Sequence, residues 1–355
     1  MRSKRALLFI VLFPFLAFVI PVNPTPYPFR KLVFFPPMPE NKANPVSVEG
    51  ALLGRYLFYD AILSEDNLLS CSSCHKQEFA FSDSPHALSK GKNGILMKRN
   101  TSPLFNLAWY PTFFWDGRAG SIEDQIFHPL QAKEEMNSNW KITLSKIKAS
   151  QLYPPLFQKA FPGKPIDSST VTLAIAQFLR TLISNQSKYD GIVSGTSHLS
   201  QEEVDGFVLL NDQTKGDCLH CHSTDGNALG TTLGFSNNGL DSVSKVADFL
   251  DKGRGAITGK VTDYGKFKIP SLRNIALTAP YMHDGRFKTL EEVLDFYSEG
   301  VKSSPTIDSK MEFVHRGGAN LTKEEKQKII AFLQTLTDSA FITNPEFSNP
   351  FEKEK

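Results

Sequence analysis

Apolar residues recur at intervals of three and four in several stretches of the chain, which is the pattern of amphipathic helices. In residues 289–297 the apolar stripe begins at a threonine three residues before a glutamate, the spacing of a helix-capping box. Residues 200–208 and 322–336 begin with the same spacing, and a longer apolar stripe occupies residues 171–182. Alternation of apolar and polar positions, which marks strands, is scarce. The sequence therefore predicts a mainly α fold.

One segment of the chain occurs twice. Residues 106–124, NLAWYPTFFWDGRAGSIED, align without a gap with residues 274–292, NIALTAPYMHDGRFKTLEE. The asparagine, the alanine, the Asp-Gly-Arg triplet and the acidic start of a helix coincide. Chance similarity between two turn-and-cap segments is the alternative, but each copy follows a cysteine motif of the same type. We therefore predict two halves that are related by internal duplication.

The N-terminus indicates export from the cytoplasm. Residues 1–21 combine a basic start with an apolar run, the arrangement of a secretory signal peptide. An uncleaved anchor that tethers the chain to a membrane is the alternative, because no clear cleavage site follows, although the run is short for a full span. In either case we expect a periplasmic protein. Residues 22–44 are rich in proline, which predicts an extended tether rather than a folded domain.

Composition restricts the class of protein but not its chemistry. The chain has 355 residues, of which 41% are hydrophobic and 21% are charged. These values are typical of a soluble protein of about two domains. The net charge of +2 gives no reason to expect a nucleic acid as partner.

The four cysteines occur in two identical frames, CSSCH at residues 71–75 and CLHCH at residues 218–222. A zinc ion, a redox disulfide and a covalently attached haem are the three chemistries that such motifs support. The two pairs lie much further apart than the ~15 to 20 residues of zinc-ribbon spacing. We therefore predict two covalently bound c-type haems, attached through Cys71, Cys74, Cys218 and Cys221, with His75 and His222 as ligands of the two irons.

The repeat also predicts a difference between the two halves. Tyr297 ends the apolar stripe of its helix, and the ungapped partner position in the first half is Pro129. Proline has no atom that binds iron, so the first iron would be open to a small oxidant and the second would be capped by tyrosine. The alternative interpretation of Tyr297 is a core tyrosine.

These residues resemble the bacterial dihaem cytochrome c peroxidases and their relatives of the MauG type. Matching stretches run from LGRYLFYDAILSEDNLLSCSSCH through FWDGRA and PLQAKEEM to KGDCLHCH, GKFKIPSLRNIALTAPYMHDGRFKTLEEVLDFY and the last helix. The resemblance thus covers nearly everything after residue 45. The resemblance implies two tandem cytochrome c-like haem domains: an N-terminal peroxidatic domain at residues 45–190 and a C-terminal electron-transfer domain at residues 191–340. Residues 341–355 would form a C-terminal tail.

The resemblance also assigns roles to single residues. Trp115 would relay electrons between the haems, Glu135 would act as general acid and base over the open iron, and Gln125 would lie in the same distal region. Tyr297, fourteen residues after the histidine of HDG, would be the distal ligand of the second iron, as in the MauG-type branch. Met282 is a rival ligand.

Further assignments concern a cation and the haem periphery. The resemblance implies one calcium ion between the domains, held by Asn100 and by backbone carbonyls near Lys268 and Pro270. Arg254 would lie near the second haem, at a propionate. Two histidines could gate the first iron: His86, whose alternative is a solvent-facing loop residue, and His128.

The function that the resemblance implies is reduction of hydrogen peroxide to water, with electrons passed from the C-terminal haem to the N-terminal haem. The electron donor would be a small cytochrome c or a cupredoxin. The first alternative is a MauG-like oxidase, which uses peroxide-derived high-valent haems to oxidise a protein or small-molecule substrate. The second is a non-catalytic dihaem electron carrier. Members of the family often form homodimers, which is the expectation for this chain.

Overall fold

The computed structural model describes residues 23–30, 32, 34–223 and 229–352. Helices dominate this part of the chain, so the prediction of a mainly α protein is confirmed. The α-helices are α1 (Val48–Tyr59), α2 (Ile122–Gln131), α3 (Trp140–Ala149), α4 (Tyr153–Ala160), α5 (Ser168–Thr181), α6 (Lys188–Val193), α7 (Gln201–Asn211), α8 (Gly255–Thr258), α9 (Leu290–Asp295), α10 (Lys323–Gln334) and α11 (Ser339–Ile342).

Short elements connect these helices. The strands of the described residues are β1 (Phe235–Ser236) and β2 (Phe267–Lys268), which pair antiparallel with Phe235 opposite Lys268. A π-helix, Phe296–Gly300, follows α9. The 3₁₀-helices are Ala61–Leu63, Cys71–Ser73, Gln77–Phe79, Lys92–Gly94, Leu107–Trp109, Cys218–His220, Val246–Asp248, Val261–Asp263, Ile275–Leu277 and Glu312–Arg316.

The predicted caps are present at the helix starts. Ser200 and Glu203 form a reciprocal capping box at α7, and Thr322 and Glu325 form another at α10. At α9 the Thr289 side chain accepts a hydrogen bond from a backbone N–H in the first turn. Each cap satisfies N–H groups that have no partner inside the helix, which fixes where the helix begins.

Each half contains one close pair of helices. In the first half α1 packs on α5, and a Cβ at Gly54 would collide with the backbone carbonyl of Ala174. In the second half α7 packs on α10, and a Cβ at Gly206 would collide with the carbonyl of Lys328. Glycine permits this close approach because it has no side chain. The two halves therefore use the same contact to join their first and last helices.

The repeated segment has the same backbone conformation in both copies. Asn106 and Asn274 are both left-handed, with φ of 54° and 56°. Phe114 and Met282 also have positive φ, 65° and 73°. In both copies the turn is closed by an isolated antiparallel bridge, Phe113 to Ala119 in the first and Tyr281 to Phe287 in the second.

The C-terminal tail belongs to the first core. Residues 341–355 are predicted from the sequence to form a tail outside both domains, but Phe341 and Phe347 are buried in the apolar cluster of the first half. The Phe341 ring lies 5.7 Å from that of Phe81 and 6.2 Å from that of Phe105. The chain therefore crosses back after α10 and completes the core from which it started.

The described part of the proline-rich segment lies against the helical body. Thr25 donates two hydrogen bonds to the carboxylate of Glu49 in α1. The Trp109 indole N–H donates to the carbonyl of Pro36 at 2.9 Å. Residues 1–21, on which the signal-peptide prediction falls, lie outside the described residues. Within the described residues, no helix combines the length and apolarity that a membrane crossing needs.

The glycine contacts yield a stability prediction. Gly54→Ala and Gly206→Ala should each lower the free energy of unfolding by about 1–3 kcal/mol, because the new Cβ forces the paired helices apart. That cost exceeds the ~1 kcal/mol that alanine gains over glycine in a helix. Denaturant midpoints of the purified variants measure it.

Gly120→Ala is the matched control. Apart from its two chain neighbours, no atom of the described residues lies within 4 Å of the added Cβ at Gly120, and the φ of Gly120 is not in the left-handed region. Its midpoint should stay within about 0.5 kcal/mol of the parent. Equal midpoints for all three variants would contradict the role given to the two helix contacts.

Candidate active site

The two C-x-x-C-H motifs share one local geometry. Each begins with a 3₁₀-turn over its first three residues. The histidine N–H then donates to the carbonyl of the first cysteine, at 3.0 Å for His75 and 2.9 Å for His222. This tight turn places both thiols and the imidazole at one end of a short loop.

Both motif histidines have their Nδ1 atom fixed by a backbone carbonyl. Nδ1 of His75 lies 2.7 Å from the Phe81 carbonyl oxygen, and Nδ1 of His222 lies 2.9 Å from that of Pro270. Only Nδ1–H can donate to a carbonyl, so Nε2 retains its lone pair. Burial also lowers the pKa of His75, and it lowers that of His222 to about 4. Both rings are thus neutral, and their Nε2 atoms are able to bind a metal ion.

The thiols do not favour the two other chemistries of the motif. All four cysteines are unpaired. Burial raises the pKa of Cys71 and Cys218 to about 12, whereas a redox dithiol needs a lowered pKa. Within the described residues, no group of three or more His, Cys, Asp or Glu side chains is placed to hold a metal ion. This arrangement argues against a zinc site built from the four thiolates.

The second motif lines a mainly apolar cavity of about 240 Å³. Cys218, Cys221 and His222 contribute to its wall, together with Tyr297 and Met282. The two thiols also act electrostatically on the Tyr297 hydroxyl, so the tyrosine lies close to the motif. A thiol pair, a neutral imidazole and an apolar wall are what a covalently attached haem requires, and these residues fit one.

Tyr297 lies in the π-helix beyond α9, whereas its repeat partner Pro129 lies inside the regular helix α2. Single π turns are rare and frequently occur at functional sites. Asn238 Nδ2 donates to the Tyr297 phenol oxygen at 3.0 Å and lies 3.6 Å from the Met282 sulphur. Burial raises the pKa of Tyr297 to about 12, and the Asn238 hydrogen bond acts in the opposite direction.

Glu135 lies near the first motif. Its carboxylate acts electrostatically on the thiols of Cys71 and Cys74. Burial raises its pKa, the positive charge of Arg118 opposes this shift, and the negative charge of Glu134 adds to it. A carboxyl group with a raised pKa beside a cofactor site is suited to accept and return a proton.

The other residues predicted to lie near the first iron, Gln125 and His128, are in helix α2, a few residues before Glu135. Gln125 and Pro129 lie one turn apart on the same face of α2. His128 is next to Pro129, and its ring meets that of Phe114 edge-on at 5.2 Å. The Arg118 guanidinium lies over the same Phe114 ring, 3.5 Å from its centroid.

His86, the first candidate gate, contacts an acidic neighbour. Its Nδ1 lies 3.3 Å from the Asp83 carboxylate, and its side chain is 54% exposed. Asp83 itself is buried and accepts a hydrogen bond from Lys76 at 2.8 Å. The structure thus gives His86 the environment of a surface-loop residue, and its role as a gate stays a prediction.

The two halves meet at Trp115. Its indole N–H donates to the carbonyl of Asn100 at 2.8 Å, and the Asn100 N–H donates to the carbonyl of His283 at 2.8 Å. His283 is the repeat partner of Trp115, and its ring stacks on Phe267 at 3.6 Å. The Lys268 N–H donates to the Trp115 carbonyl at 2.8 Å. Trp115 is thereby held by hydrogen bonds on both its side chain and its backbone.

Charged side chains reinforce this junction. Arg99 donates to Asp116 at 2.6 Å and to both carboxylate oxygens of Asp251 at 2.7 and 2.8 Å. Arg254 donates from Nη1 to the carbonyls of Asp116 and Gly117, at 3.1 and 3.0 Å. Its contact with a propionate stays a prediction, but the structure gives it a second task, holding the turn that follows Trp115.

The predicted calcium residues lie along one cavity. Asn100, Lys268 and Pro270 all line the cavity of the second motif. The Pro270 carbonyl already accepts the His222 hydrogen bond, and the Lys268 ammonium is buried, with its pKa lowered to about 8 by desolvation. Oxygen atoms are the ligands that calcium prefers. The Asn100 side chain and the backbone carbonyls supply such oxygens here. The calcium ion itself stays a prediction.

Sequence reasoning missed two residues of the site. Asn238 sits in the Asn-Asn-Gly stretch at residues 237–239, which signals only a turn. Arg118 belongs to the repeated Asp-Gly-Arg triplet, but its charge acts on Glu135 only because the fold brings residues 118 and 135 together.

Comparison with known proteins gives matches that agree with one another. The family described as "Di-haem cytochrome c peroxidase" matches residues 48–198. "Methylamine utilization protein MauG" of Methylorubrum extorquens is 36% identical over 313 residues, covering 87% of this chain and 84% of that protein. "Cytochrome c551 peroxidase" of Nitrosomonas europaea is 32% identical over 319 residues, covering 89% and 86%.

A solved structure is also similar. A "MauG-like protein associated with microbial copper homeostasis" has a TM-score of 0.82 and 37% sequence identity. The match covers 92% of this chain and 100% of that chain. Similarity in sequence and in fold thus extends over both C-x-x-C-H motifs and the junction between them.

Proposed function

The chain belongs to the di-haem cytochrome c peroxidase family, which includes MauG, and on that premise we propose that it reduces hydrogen peroxide at the first motif with electrons supplied through the second. As a member of this family it is an oxidoreductase that acts with peroxide. The observation that supports the proposal is the difference between the two sites. Glu135 lies near the first motif and Tyr297 lies near the second, and the repeat partner of Tyr297 in the first half is Pro129.

The proposal includes two haems, each covalently attached through one C-x-x-C-H motif. Cys71 and Cys74 would hold the first, and Cys218 and Cys221 the second. The fixed Nε2 lone pairs of His75 and His222 support this assignment. When bound, the haems supply the redox chemistry, and the chain supplies proton transfer, orientation and the electron path.

Glu135 moves the protons in this scheme. It accepts a proton from the oxygen of peroxide nearer the first site and returns it to the leaving oxygen, so that O–O cleavage releases water. With two electrons and two protons taken up, one peroxide gives two waters. Arg118 keeps the carboxyl group ionised often enough to act as a base, because its positive charge opposes the effect of burial.

Trp115 provides the electron path between the sites. Its indole is held by Asn100, whose backbone also contacts His283 of the second half. A calcium ion at Asn100 and the carbonyls of Lys268 and Pro270 would add rigidity at the same junction. We also include in the proposal the internal duplication, the periplasmic location and a small cytochrome c or cupredoxin as donor.

A second candidate is a MauG-like oxidase, in which the oxidising equivalents are withdrawn from a protein or small-molecule substrate. Tyr297 favours it, as do the MauG proteins among the relatives and the MauG-like structure associated with copper homeostasis. The electron-carrier alternative is less well supported, since a carrier has no need of a buried carboxyl group beside an open site.

Electron paramagnetic resonance of the oxidised protein tests the proposal. We expect one high-spin and one low-spin ferric signal, with the high-spin site reacting with stoichiometric peroxide. Glu135→Gln should leave the resting spectrum unchanged and slow the peroxide reaction by ~10²- to 10⁴-fold, the usual size of a general acid–base effect. A peroxidase should consume peroxide together with a reduced electron donor, whereas a MauG-like oxidase should use peroxide to oxidise a protein substrate. Measuring which of these reactions occurs separates the two candidates.

Glu134→Gln is the control for that variant, because Glu134 is adjacent in sequence but exposed. At a pH above the acidic limb it should retain the parent rate. Two low-spin signals that persist after half-reduction, with no loss of peroxide, would instead identify an electron carrier.

The raised pKa of Glu135 predicts the pH dependence. The base must be ionised, so the rate of the peroxide reaction should fall as the pH drops through the pKa of Glu135. Arg118→Gln removes a positive charge, raises that pKa and moves the acidic limb to higher pH. Glu134→Gln removes a negative charge, lowers the pKa and moves the limb to lower pH. Shifts of the same sign in both variants would rule out Glu135 as the titrating group.

Trp115→Phe tests the electron path. Loss of the indole N–H breaks the hydrogen bond to Asn100, so rapid mixing of the half-reduced protein with peroxide should lose its fast inter-haem phase. Trp109→Phe is the matched control, because Trp109 also donates its indole N–H to a backbone carbonyl but lies against Pro36. An unchanged fast phase in Trp115→Phe would place the path elsewhere.

A further inference from the structure

One side-chain amide contacts both groups that could bind the second iron on its distal side. Asn238 Nδ2 donates to the phenol oxygen of Tyr297 at 3.0 Å and lies 3.6 Å from the sulphur of Met282. Both side chains line the same cavity as Cys218 and His222. The Tyr297 oxygen and the Met282 sulphur therefore both contact the Asn238 amide and lie close together in the proposed haem site.

Met282 occupies a position that only an unusual backbone makes available. Its φ is 73°, a left-handed conformation that non-glycine residues rarely adopt. The repeat partner Phe114 has the same conformation, with φ of 65°, but its side chain is a hydrocarbon with no atom that binds iron. The duplicated turn thus presents a sulphur in the second half, where Tyr297 is present, and a hydrocarbon ring in the first half, where Pro129 is present.

The two groups differ in their preference for the oxidation state of iron. An anionic phenolate oxygen is a hard ligand and favours the ferric state, whereas a thioether sulphur is soft and favours the ferrous state. Residues in sparsely populated backbone conformations cluster at sites where a ligand is held or switched. Met282 has such a conformation, and one side chain, that of Asn238, contacts both Met282 and Tyr297.

We propose that Met282 is a redox-dependent ligand of the second haem, replacing Tyr297 when the iron is reduced. This inference rests on the proposed attachment of haem at Cys218 and Cys221. One electron from the external donor reduces the iron, the iron–oxygen bond breaks, the phenolate takes up a proton from water, and the iron–sulphur bond forms. Oxidation reverses each step. Asn238 holds the ligand that is not bound to iron.

Ligand exchange gives the second site two reduction potentials. The tyrosine-bound form is reduced at a low potential, and the methionine-bound form is reoxidised at a higher one. The site therefore retains an electron more firmly after the exchange than before it. Rapid reoxidation would also leave a thioether on ferric iron for a short time, which has a characteristic near-infrared charge-transfer band.

Voltammetry of the haem-loaded protein adsorbed on an electrode tests the proposal. For the parent protein we expect the reduction and reoxidation waves of the second haem to lie at different potentials. Their separation should depend on the scan rate, because the scan rate sets how far the ligand exchange proceeds during each sweep. Met282→Leu should give one reversible couple at every scan rate. Met311→Leu is the matched control, because Met311 lines the same cavity and packs on the same apolar cluster, and among the described residues it has no hydrogen bond to Asn238; it should behave like the parent.

A single reversible couple in the parent protein at all scan rates would overturn the inference, and that result needs no variant to fold. A separation that persists in Met282→Leu would overturn it as well. Stopped-flow oxidation of the reduced parent should show the transient near-infrared band, and Met282→Leu should lack it.

Tyr297→Phe completes the test. With the oxygen removed, Met282 should bind both oxidation states, so the charge-transfer band should be stable in the ferric protein. A ferric spectrum unchanged by Tyr297→Phe would also overturn the inference. None of these measurements uses peroxide, so their failure and a failure of peroxide reduction are observed separately.

Discussion

The hydrogen bond between each motif histidine and a backbone carbonyl is the constraint on which the rest of the structure depends. It fixes one ring nitrogen as the donor and leaves the other with its lone pair, which is able to bind a metal ion. The carbonyls come from Phe81 and Pro270, which are placed by a turn and by the segment after β2. Positioning these two carbonyls requires that the loops around them be held, and much of the hydrogen bonding at the junction serves that purpose.

The two halves share one local plan and differ just beyond the repeated turn. The repeated turn has the same backbone in both copies, and each half joins its first and last helices through a glycine. The difference arises one turn further on, where α2 continues regularly through Pro129 and α9 gives way to a π-helix that contains Tyr297. A change in helical winding over five residues therefore accompanies the difference between proline in the first half and tyrosine in the second.

The sequence was sufficient for features that depend on neighbouring residues. Helix caps, the two cysteine motifs and the repeat all follow from spacing along the chain, and each has the expected local geometry. Contacts between distant residues were not predictable in this way. Neither the burial of Phe341 in the first core nor the effect of Arg118 on Glu135 has a local signal, because each depends on how the chain returns upon itself. The resemblance to a family identified Glu135 and Tyr297, but not Asn238, whose polar turn resembles any other.

The return of the chain to its first core has a consequence for biogenesis. Residues 341–347 fill space between side chains that are synthesised well over two hundred positions earlier. The first half therefore cannot reach its final packing while the polypeptide is still emerging, even though its own helices are complete. A nascent chain that terminates early would leave an unfinished apolar surface, which is the feature that quality-control proteases recognise.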